Sequence, residues 1–352
     1  MNRYHQLSVY FRHRFRQRVQ KVPLDAGFTC PNRDGSLSTR GCIFCNPRGS
    51  GSGMGLKGTT LQDQWAFWRE RYNRSLGPAT FIAYLQSFSN TYGPLEKLEK
   101  TLAEVEALPD LAGLSIGTRP DCVDEERLDL IARTAAAPSM REVWLELGLQ
   151  SALDKTLERI NRGHDFACFE RAVRMAHDRG LKTCVHVIAG LPGESTDDFL
   201  HTIDRVNALP VQGIKFHSLY VAEHTPLADE WRQGGYTPLS EEVYIDTVVR
   251  AIPRLRPEIV IQRLTGDPSE GELLAPVWPS TKTGILAAIA HGLQQGNTWQ
   301  GKALDTSGTG RERPPLWFTL RRNLPVALHK EWEREYRAIA PELDFDLTEP
   351  LA

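Results

Sequence analysis

Apolar positions form two kinds of segment that alternate along the first three quarters of the chain. Short apolar runs of strand length lie at 81–85, 111–116, 143–149, 183–189, 214–221 and 259–264. Longer stretches with apolar residues at helical spacing lie between them, at 61–72, 95–108, 125–137, 166–178, 196–208 and 241–252. Apolar strands that alternate with helices are typical of a parallel sheet covered by helices.

Polar residues mark where several of these helices begin and end. Ser195 precedes two aspartates and Ser240 precedes two glutamates, a pattern that favours helix N-termini. Gly180 lies where a helix would stop. Residues 18–267 are therefore predicted to form an α/β domain, a partial TIM-type (β/α)6 barrel, with an open doubly wound sheet as the alternative.

The alternation fades near residue 267, where prolines interrupt the pattern. Helical periodicity returns only before Ala290 and at 327–338. Residues 268–352 are therefore predicted to be a C-terminal extension rich in helix, which either caps the substrate or packs on the barrel.

Residues 1–17 form a basic N-terminal segment. Arginines recur from here to the first strand of the domain, and no acid occurs before Asp25. They are Arg3, Arg12, Arg14, Arg16 and Arg18. Such a segment is typical either of a phosphate-binding patch or of a solvated helix face.

Composition places the chain among soluble proteins. It has 352 residues, of which 41% are hydrophobic and 24% charged, and its net charge is −2. No apolar run reaches the roughly 20 residues that a membrane helix needs, and no apolar stretch opens the chain. We expect a cytoplasmic protein without a membrane partner.

Three of the six cysteines are concentrated near the start of the chain. Eleven residues separate Cys30 from Cys42, and two separate Cys42 from Cys45. Three thiolates can bind three irons of a cubane cluster and leave the fourth iron open to another ligand. The glycine-rich stretch at 46–60 is a candidate lid beside them.

Two other sites fit the same cysteines. Structural zinc needs a fourth ligand, for which His5 or His13 is a candidate. A thioredoxin-like redox pair would use Cys42 and Cys45 but leaves Cys30 unexplained. The scattered thiols, Cys122, Cys168 and Cys184, have no pair spacing and are predicted to be ordinary packed residues.

The sequence around the three cysteines resembles a known family. Residues 25–35 read Asp-Ala-Gly-Phe-Thr-Cys-Pro-Asn-Arg-Asp-Gly and residues 41–46 read Gly-Cys-Ile-Phe-Cys-Asn. Both are similar to the radical S-adenosylmethionine (SAM) superfamily and, within it, to the YhcC/YtqA family. Thr-Arg-Pro-Asp at 118–121 is similar to a third-strand motif of the elongator catalytic subunit branch. The spacing departs from the superfamily's commonest, which is three residues and then two.

This resemblance, which covers about residues 4–301, implies the cofactors and their ligands. It implies a radical SAM barrel in which Cys30, Cys42 and Cys45 hold a [4Fe–4S] cluster, with SAM bound at the open iron. The implied SAM contacts are Phe44, Ser89, Asn90, Gln150, Arg162, Gly190 and Phe216.

Each of these contacts has an implied task. Gln150 and Arg162 would bind the SAM carboxylate, for which a guanidinium fork is well suited. Ser89 and Asn90 would bind the amino group where other members have Gly-Gly-Glu. Gly190 would let the backbone approach the adenosyl group closely, and Phe216 would flank the adenine by backbone contact. Phe44, next to Cys45, is a further cofactor contact.

The implied activity is reductive cleavage of SAM to a 5′-deoxyadenosyl radical, with electrons from a flavodoxin or ferredoxin. The Thr-Arg-Pro-Asp motif and the basic segment indicate tRNA, modified at the wobble uridine, with Tyr220, Trp278 or Trp299 as stacking candidates. One alternative is a radical SAM enzyme acting on a small-molecule cofactor or tetrapyrrole precursor. The other is a non-catalytic metal-binding, RNA-binding module.

Overall fold

A curled sheet of seven parallel strands forms the centre of the computed structural model, which describes residues 1–49, 51, 54–55, 58–77, 79–266, 268, 271–304 and 312–345. The strands are β1 (Val19–Leu24), β2 (Thr80–Leu85), β3 (Leu111–Thr118), β4 (Glu142–Gln150), β5 (Lys182–Ala189), β6 (Gly213–Ser218) and β8 (Val260–Arg263). They pair in that order, and β1 and β8 are the unpaired edges. The sheet is therefore the predicted partial barrel, open between β1 and β8.

Helices cover the outer face of the sheet. The helices of the described residues are α1 (Leu7–Phe15), α2 (Leu61–Leu76), α3 (Leu95–Glu106), α4 (Glu125–Ala135), α5 (Asp154–Arg159), α6 (Phe166–His177), α7 (Thr196–Asn207), α8 (Pro226–Arg232), α9 (Glu241–Ala251), α10 (Lys282–Gln295) and α11 (His329–Ile339). Of these, α1 and α11 lie at the amino ends of the strands instead. A small antiparallel pair joins β7 (Val221–Ala222) to β9 (Leu273–Ala275). Large apolar side chains fill the layer between sheet and helices, as where Phe216 meets Phe199.

The amino ends of the strands are closed by both ends of the described chain. Tyr10 and Phe15 of α1 pack there with Trp317, Trp332 and residues at the strand starts, including Trp144. Because these side chains are buried together, this end of the barrel is a second apolar core rather than an opening.

The basic N-terminal segment belongs to this closure. Arg14 lies 3.4 Å from Glu142 and 3.1 Å from Asp344, and it donates to the Arg141 carbonyl oxygen. Arg12 and Arg16 lie on and just after α1, half-buried, and Arg18 is half-buried just before β1. The structure thus places these arginines at the end of the barrel away from the cysteines.

The predicted C-terminal extension divides into parts with different positions. Residues 273–275 form β9 beside β7, and α10 packs against α9 on the outside of the barrel. Residues 312–345 pack on α1 at the amino ends of the strands. A substrate-capping role for this extension stays a prediction, and only its first part lies at the same end as the cysteines.

Candidate functional site

The loop that follows β1 carries all three clustered cysteines to the carboxyl ends of the strands. Cys30, Cys42 and Cys45 line a single cavity of about 230 Å³. Parallel barrels present their sites at this end, because the loops after the strands converge there. The structure therefore brings the three predicted cluster ligands together.

Two arginines hold the cysteine loop in place. Arg33 donates from Nη2 to the carbonyl oxygens of Cys45, at 2.5 Å, and Asn46, at 2.7 Å. Gly41 has φ +71°, and a Cβ there would lie 3.1 Å from Arg33 Nε, so a side chain is disfavoured. Arg162 Nη1 lies 3.4 Å from Cys42 Sγ and adds positive charge beside this thiol.

The donor set consists of three thiols, the number that a cubane cluster with one open iron requires. All three cysteines are free of disulfides. Within the part of the chain that the structure describes, no three His, Cys, Asp or Glu side chains converge on one ion. A cubane does not require such convergence, because each cysteine binds a different iron.

The two histidines proposed as a fourth zinc ligand lie far from the cysteine loop. His5 packs edge-on against Trp317 at 4.7 Å between ring centroids, and His13 lies 4.9 Å from the Tyr336 ring. Both rings are buried in the closure at the amino ends of the strands. Neither histidine can therefore complete a site with the cysteine loop.

Three of the predicted SAM contacts line the cavity: Phe44, Gln150 and Arg162. The Arg162 Nε atom is buried without a hydrogen-bond partner in the described residues. A buried donor without a partner is costly, so it indicates a missing acceptor such as a carboxylate.

A glycine on β4 leaves room between these groups. A Cβ at Gly148 would lie 2.7 Å from both Arg162 Nη2 and Gln150 Nε2. Gln150 ends the strand with φ +81°, a conformation that non-glycine residues rarely adopt, next to a register shift between β4 and β5. This strained turn and the glycine bring the amide and the guanidinium to one side of the cavity.

The structure does not place Ser89 and Asn90 in the cavity wall. Ser89 Oγ is 2.9 Å from Thr118 Oγ1 and accepts from the Arg119 backbone N–H. Asn90 Nδ2 donates to the carbonyl oxygens of Leu85 and Gly117. These bonds tie the loop after β2 to the end of β3, so both residues support the wall from behind.

Gly190 and Phe216 also lie outside the cavity. Gly190, with φ +87°, contacts Leu239, which a Cβ would approach to 2.8 Å, and its carbonyl accepts from Tyr236. Phe216 is fully buried toward the helices, against Phe199. Its neighbours on β6, Lys215 and His217, are the residues that face the cavity, because successive strand residues point to opposite faces.

The sequence reasoning missed a buried polar cluster inside the barrel. Glu146 on β4 is fully buried and accepts from Lys21 Nζ at 2.8 Å, from Lys215 Nζ and from His186 Nε2 at 2.8 Å. Lys215 also lies 4.4 Å from the centroid of the Tyr84 ring. Side chains of β1, β4, β5 and β6 thus meet at Glu146, and Tyr84 of β2 adjoins them beside the cysteine cavity.

The charges in this cluster follow from burial and pairing. Burial alone would raise the pKa of Glu146, but Lys21, Lys215 and His186 outweigh it and hold that pKa well below the usual range. Burial lowers the pKa of Lys215 to about 8 and that of His186 to about 4. At neutral pH the Glu146 carboxylate and the Lys215 ammonium are therefore charged, and the His186 imidazole is neutral.

A signal for this cluster was present in the sequence. Glu146, Gly148 and Gln150 alternate with apolar residues on β4, and Lys215 and His217 do the same on β6. A period of two means that all of them share the inner face. The runs were interpreted as apolar throughout, so the polar inner face went unnoticed.

Comparison with known proteins agrees with this geometry. Residues 37–206 match the radical SAM superfamily, and residues 211–295 match the Radical_SAM C-terminal domain. The chain therefore belongs to the radical SAM superfamily, whose members are enzymes, and within it to the family of YtqA and YhcC. This membership implies a [4Fe–4S] cluster and SAM, and it supports an enzyme over the non-catalytic module considered above.

Two curated relatives span most of the chain. YtqA of Bacillus subtilis is 37% identical over 85% of this chain and 92% of its own length. YhcC of Escherichia coli K12 is 39% identical over 78% and 87%. More distantly, a tRNA uridine(34) acetyltransferase of Methanocaldococcus infernus is 28% identical over 44% of this chain and 29% of its own length.

A solved structure supports the fold. The archaeal Methanocaldococcus infernus Elp3, with an N-terminal deletion, aligns with a TM-score of 0.60 at 19% identity. The alignment covers 70% of this chain and 61% of that one. The described residues include no helix long and apolar enough to cross a membrane.

Proposed function

We propose that this protein is a radical SAM enzyme that modifies the wobble uridine of tRNA. The observation that carries the proposal is the set of three free thiols, Cys30, Cys42 and Cys45, on one cavity at the carboxyl ends of a partial barrel. Bound there, the cluster and SAM supply a 5′-deoxyadenosyl radical that abstracts hydrogen from the substrate. A flavodoxin or ferredoxin supplies the electron.

The chain's own residues bind and orient SAM. Arg162, with its unpaired Nε and its proximity to Cys42, takes the SAM carboxylate. Gln150 binds the same group through its amide, and Gly148 leaves the space that the carboxylate occupies. Phe44, next to the last cysteine, contacts the adenine.

The relatives favour a tRNA substrate. The acetyltransferase that aligns with 44% of this chain is named for uridine 34 of tRNA. Tyr220 lines the cavity and is our choice for stacking on an extruded base, a common mode of base recognition. Trp278 donates to the Leu239 carbonyl oxygen and Trp299 is buried, so both tryptophans have packing roles instead.

The phosphate contacts must also lie near the cavity. The arginines of α1 are at the far end of the barrel, whereas Arg40 is exposed on the cysteine loop. We therefore assign backbone phosphate contact to the cysteine loop, where it would guide a wobble base into the cavity.

The test is nucleoside mass spectrometry of tRNA from a strain that lacks this protein. We expect a truncated wobble-uridine modification, restored by the wild-type chain but not by Cys45→Ala. Cys168→Ala is the matched control, because this free thiol lies on α6, away from the cavity. Anaerobically reconstituted wild-type protein and Cys168→Ala should hold about four irons per chain, and Cys45→Ala should hold fewer.

Two results would contradict the proposal in different ways. A complete set of wobble modifications in the deletion strain would remove tRNA as substrate and favour the small-molecule alternative. Full complementation by Cys45→Ala would remove the cluster from the mechanism.

A further inference from the structure

A second cavity, of about 480 Å³, opens between the two edge strands of the barrel. Its wall includes Lys21 of β1 and Gln262 of β8, which join the two edges through a 2.8 Å hydrogen bond. Tyr84, Lys215 and Arg263 line both this cavity and the cysteine cavity. The open side of the barrel therefore leads directly to the buried polar cluster.

More cationic than anionic side chains line the two cavities. The described lining residues include a single carboxylate, that of Glu146. The cationic lining residues are Lys21, Arg33, Arg119, Arg162, Lys215, Arg263 and Lys282. Arg33, Arg119 and Arg162 line the cavity that holds the cysteines. Lys21 and Lys215 line the second cavity.

One carboxylate, that of Glu146, pairs with two lysines in this cluster, the buried Lys215 and the partly buried Lys21. Lys21 and Lys215 both donate to Glu146, on different oxygens, and both lie over the Tyr84 ring, at 5.6 and 4.4 Å from its centroid. Buried ion pairs are costly unless their charges are compensated. A group that brings a second negative charge would complete the arrangement.

The neighbouring His217 also indicates a missing hydrogen-bond acceptor. His217 follows Lys215 on the inner face of β6, and its Nε2 atom is buried without a partner among the described residues. The rings of His217 and His186 lie 5.2 Å apart between centroids. A hydrogen-bond acceptor between Lys215 and His217 would satisfy both side chains.

We infer that Lys215 and His217 form a subsite for an anionic group of the substrate, a carboxylate or a phosphate. This inference rests on the proposed function, because it takes the substrate to be a uridine nucleotide. The anion is either a carboxylate on the base or a phosphate of the backbone. The subsite lies between the SAM cavity and the open side of the barrel, so it orients the substrate toward the cofactor.

The test measures the binding of small probes to the anaerobically reconstituted protein at fixed ionic strength. The probes are uridine, 5-carboxymethyluridine and uridine 5′-monophosphate, with malonate and inorganic phosphate as simple anions. We expect either 5-carboxymethyluridine or uridine 5′-monophosphate to bind at least about tenfold more tightly than uridine. The preferred probe identifies the source of the anion.

The variants are Lys215→Met, Lys215→Arg and the control Lys302→Met. Lys302 also lies 4.4 Å from an aromatic ring centroid, that of Trp299, but it is exposed. Lys215→Met should lose the preference for the anionic probe, and the other two should keep it. Affinity for SAM and iron content should stay within about twofold of wild type in all three.

The outcomes separate this inference from the proposed function. If Lys215→Met keeps the wild-type preference, or loses SAM affinity equally, the subsite is wrong. If no nucleoside binds but malonate or phosphate binds in a Lys215-dependent way, the uridine substrate is wrong and the subsite stands. If neither nucleosides nor simple anions bind, the subsite is overturned, and tRNA mass spectrometry still decides the proposed function.

Discussion

At Gln150, a strained backbone conformation brings a functional side chain into the site. Gln150 adopts φ +81° at the end of β4, where an L-amino acid is strained and glycine is not. Its amide thereby reaches the same side of the cavity as Arg162. Such outliers often mark functional sites, because the surrounding fold has to maintain them.

Replacing Gln150 with glycine should separate strain from function. We expect Gln150→Gly to raise the free energy of unfolding by about 1 kcal/mol, because the backbone strain is relieved. We also expect weaker SAM binding, because the amide is lost. Urea denaturation and equilibrium SAM binding measure the two effects.

Gln150→Ala is the matched variant for this experiment. It removes the amide but keeps a Cβ in the strained conformation, so it should weaken SAM binding without a gain in stability. Unchanged SAM affinity in Gln150→Gly would show that the amide has no role in cofactor binding.

Among single residues, the sequence alone predicted those site residues that have a distinctive spacing or distinctive neighbours in the chain. The spacing of Cys30, Cys42 and Cys45 depends on local chain geometry, so the grouping in one cavity was predictable. The Glu146 cluster was not, because its members come from β1, β4, β5 and β6 and only the barrel brings them together. Ser89 and Asn90 lie behind the cavity wall, a position that hydrogen-bonding capacity could not predict because it says nothing about which side of a loop a side chain faces.

At the scale of elements the predictions were close to the structure. The helix starts at Ser195 and Ser240 are confirmed, since each side chain accepts from the third residue of its helix. The strand β1 was not among the six predicted runs, because Gln20, Lys21 and Pro23 interrupt its apolar pattern. This interruption has a structural reason, since β1 is an edge strand and Lys21 faces the interior.

The closure formed by α1 makes the fold sensitive to acid. Burial lowers the pKa of His13 to about 4, below its unfolded value near 6.5. Between these values the unfolded chain binds a proton that the folded chain excludes, so stability falls as the pH falls from about 6.5 to about 4. The loss from His13 amounts to about 3 kcal/mol.

His13→Phe should therefore flatten the pH dependence of stability. Urea denaturation at pH 7 and at pH 4.5 should show a smaller loss in this variant than in the wild type. His177→Phe is the control, since His177 is exposed on α6. An identical acid loss in wild type and His13→Phe would show that other groups control acid unfolding.

At the scale of the whole molecule the two ends of the barrel have different tasks. The carboxyl ends of the strands hold the cysteines and the cavity that they line, and the amino ends hold an apolar closure. The two matched family segments meet between residues 206 and 211, yet β5 and β6 on either side pair over six residues each. One continuous sheet therefore supports both ends.

This division predicts that the closure can be weakened without loss of cofactor binding. Trp332 on α11 is fully buried, stacks on Tyr336 at 4.7 Å and donates to the Thr319 carbonyl oxygen at 2.8 Å. Trp332→Ala should lower the free energy of unfolding by about 3–5 kcal/mol, because it leaves a cavity and an unpaired carbonyl.

The SAM affinity of folded Trp332→Ala should stay within about twofold of wild type, because the cavity wall is built from the opposite strand ends. Phe67→Ala is the control for loss of an aromatic ring, since Phe67 is 48% exposed on α2 and should change stability little. A large drop in SAM affinity at a temperature where Trp332→Ala remains folded would show that the two ends are coupled. The rigidity of the site would then depend on the closure as well as on the strands that carry it.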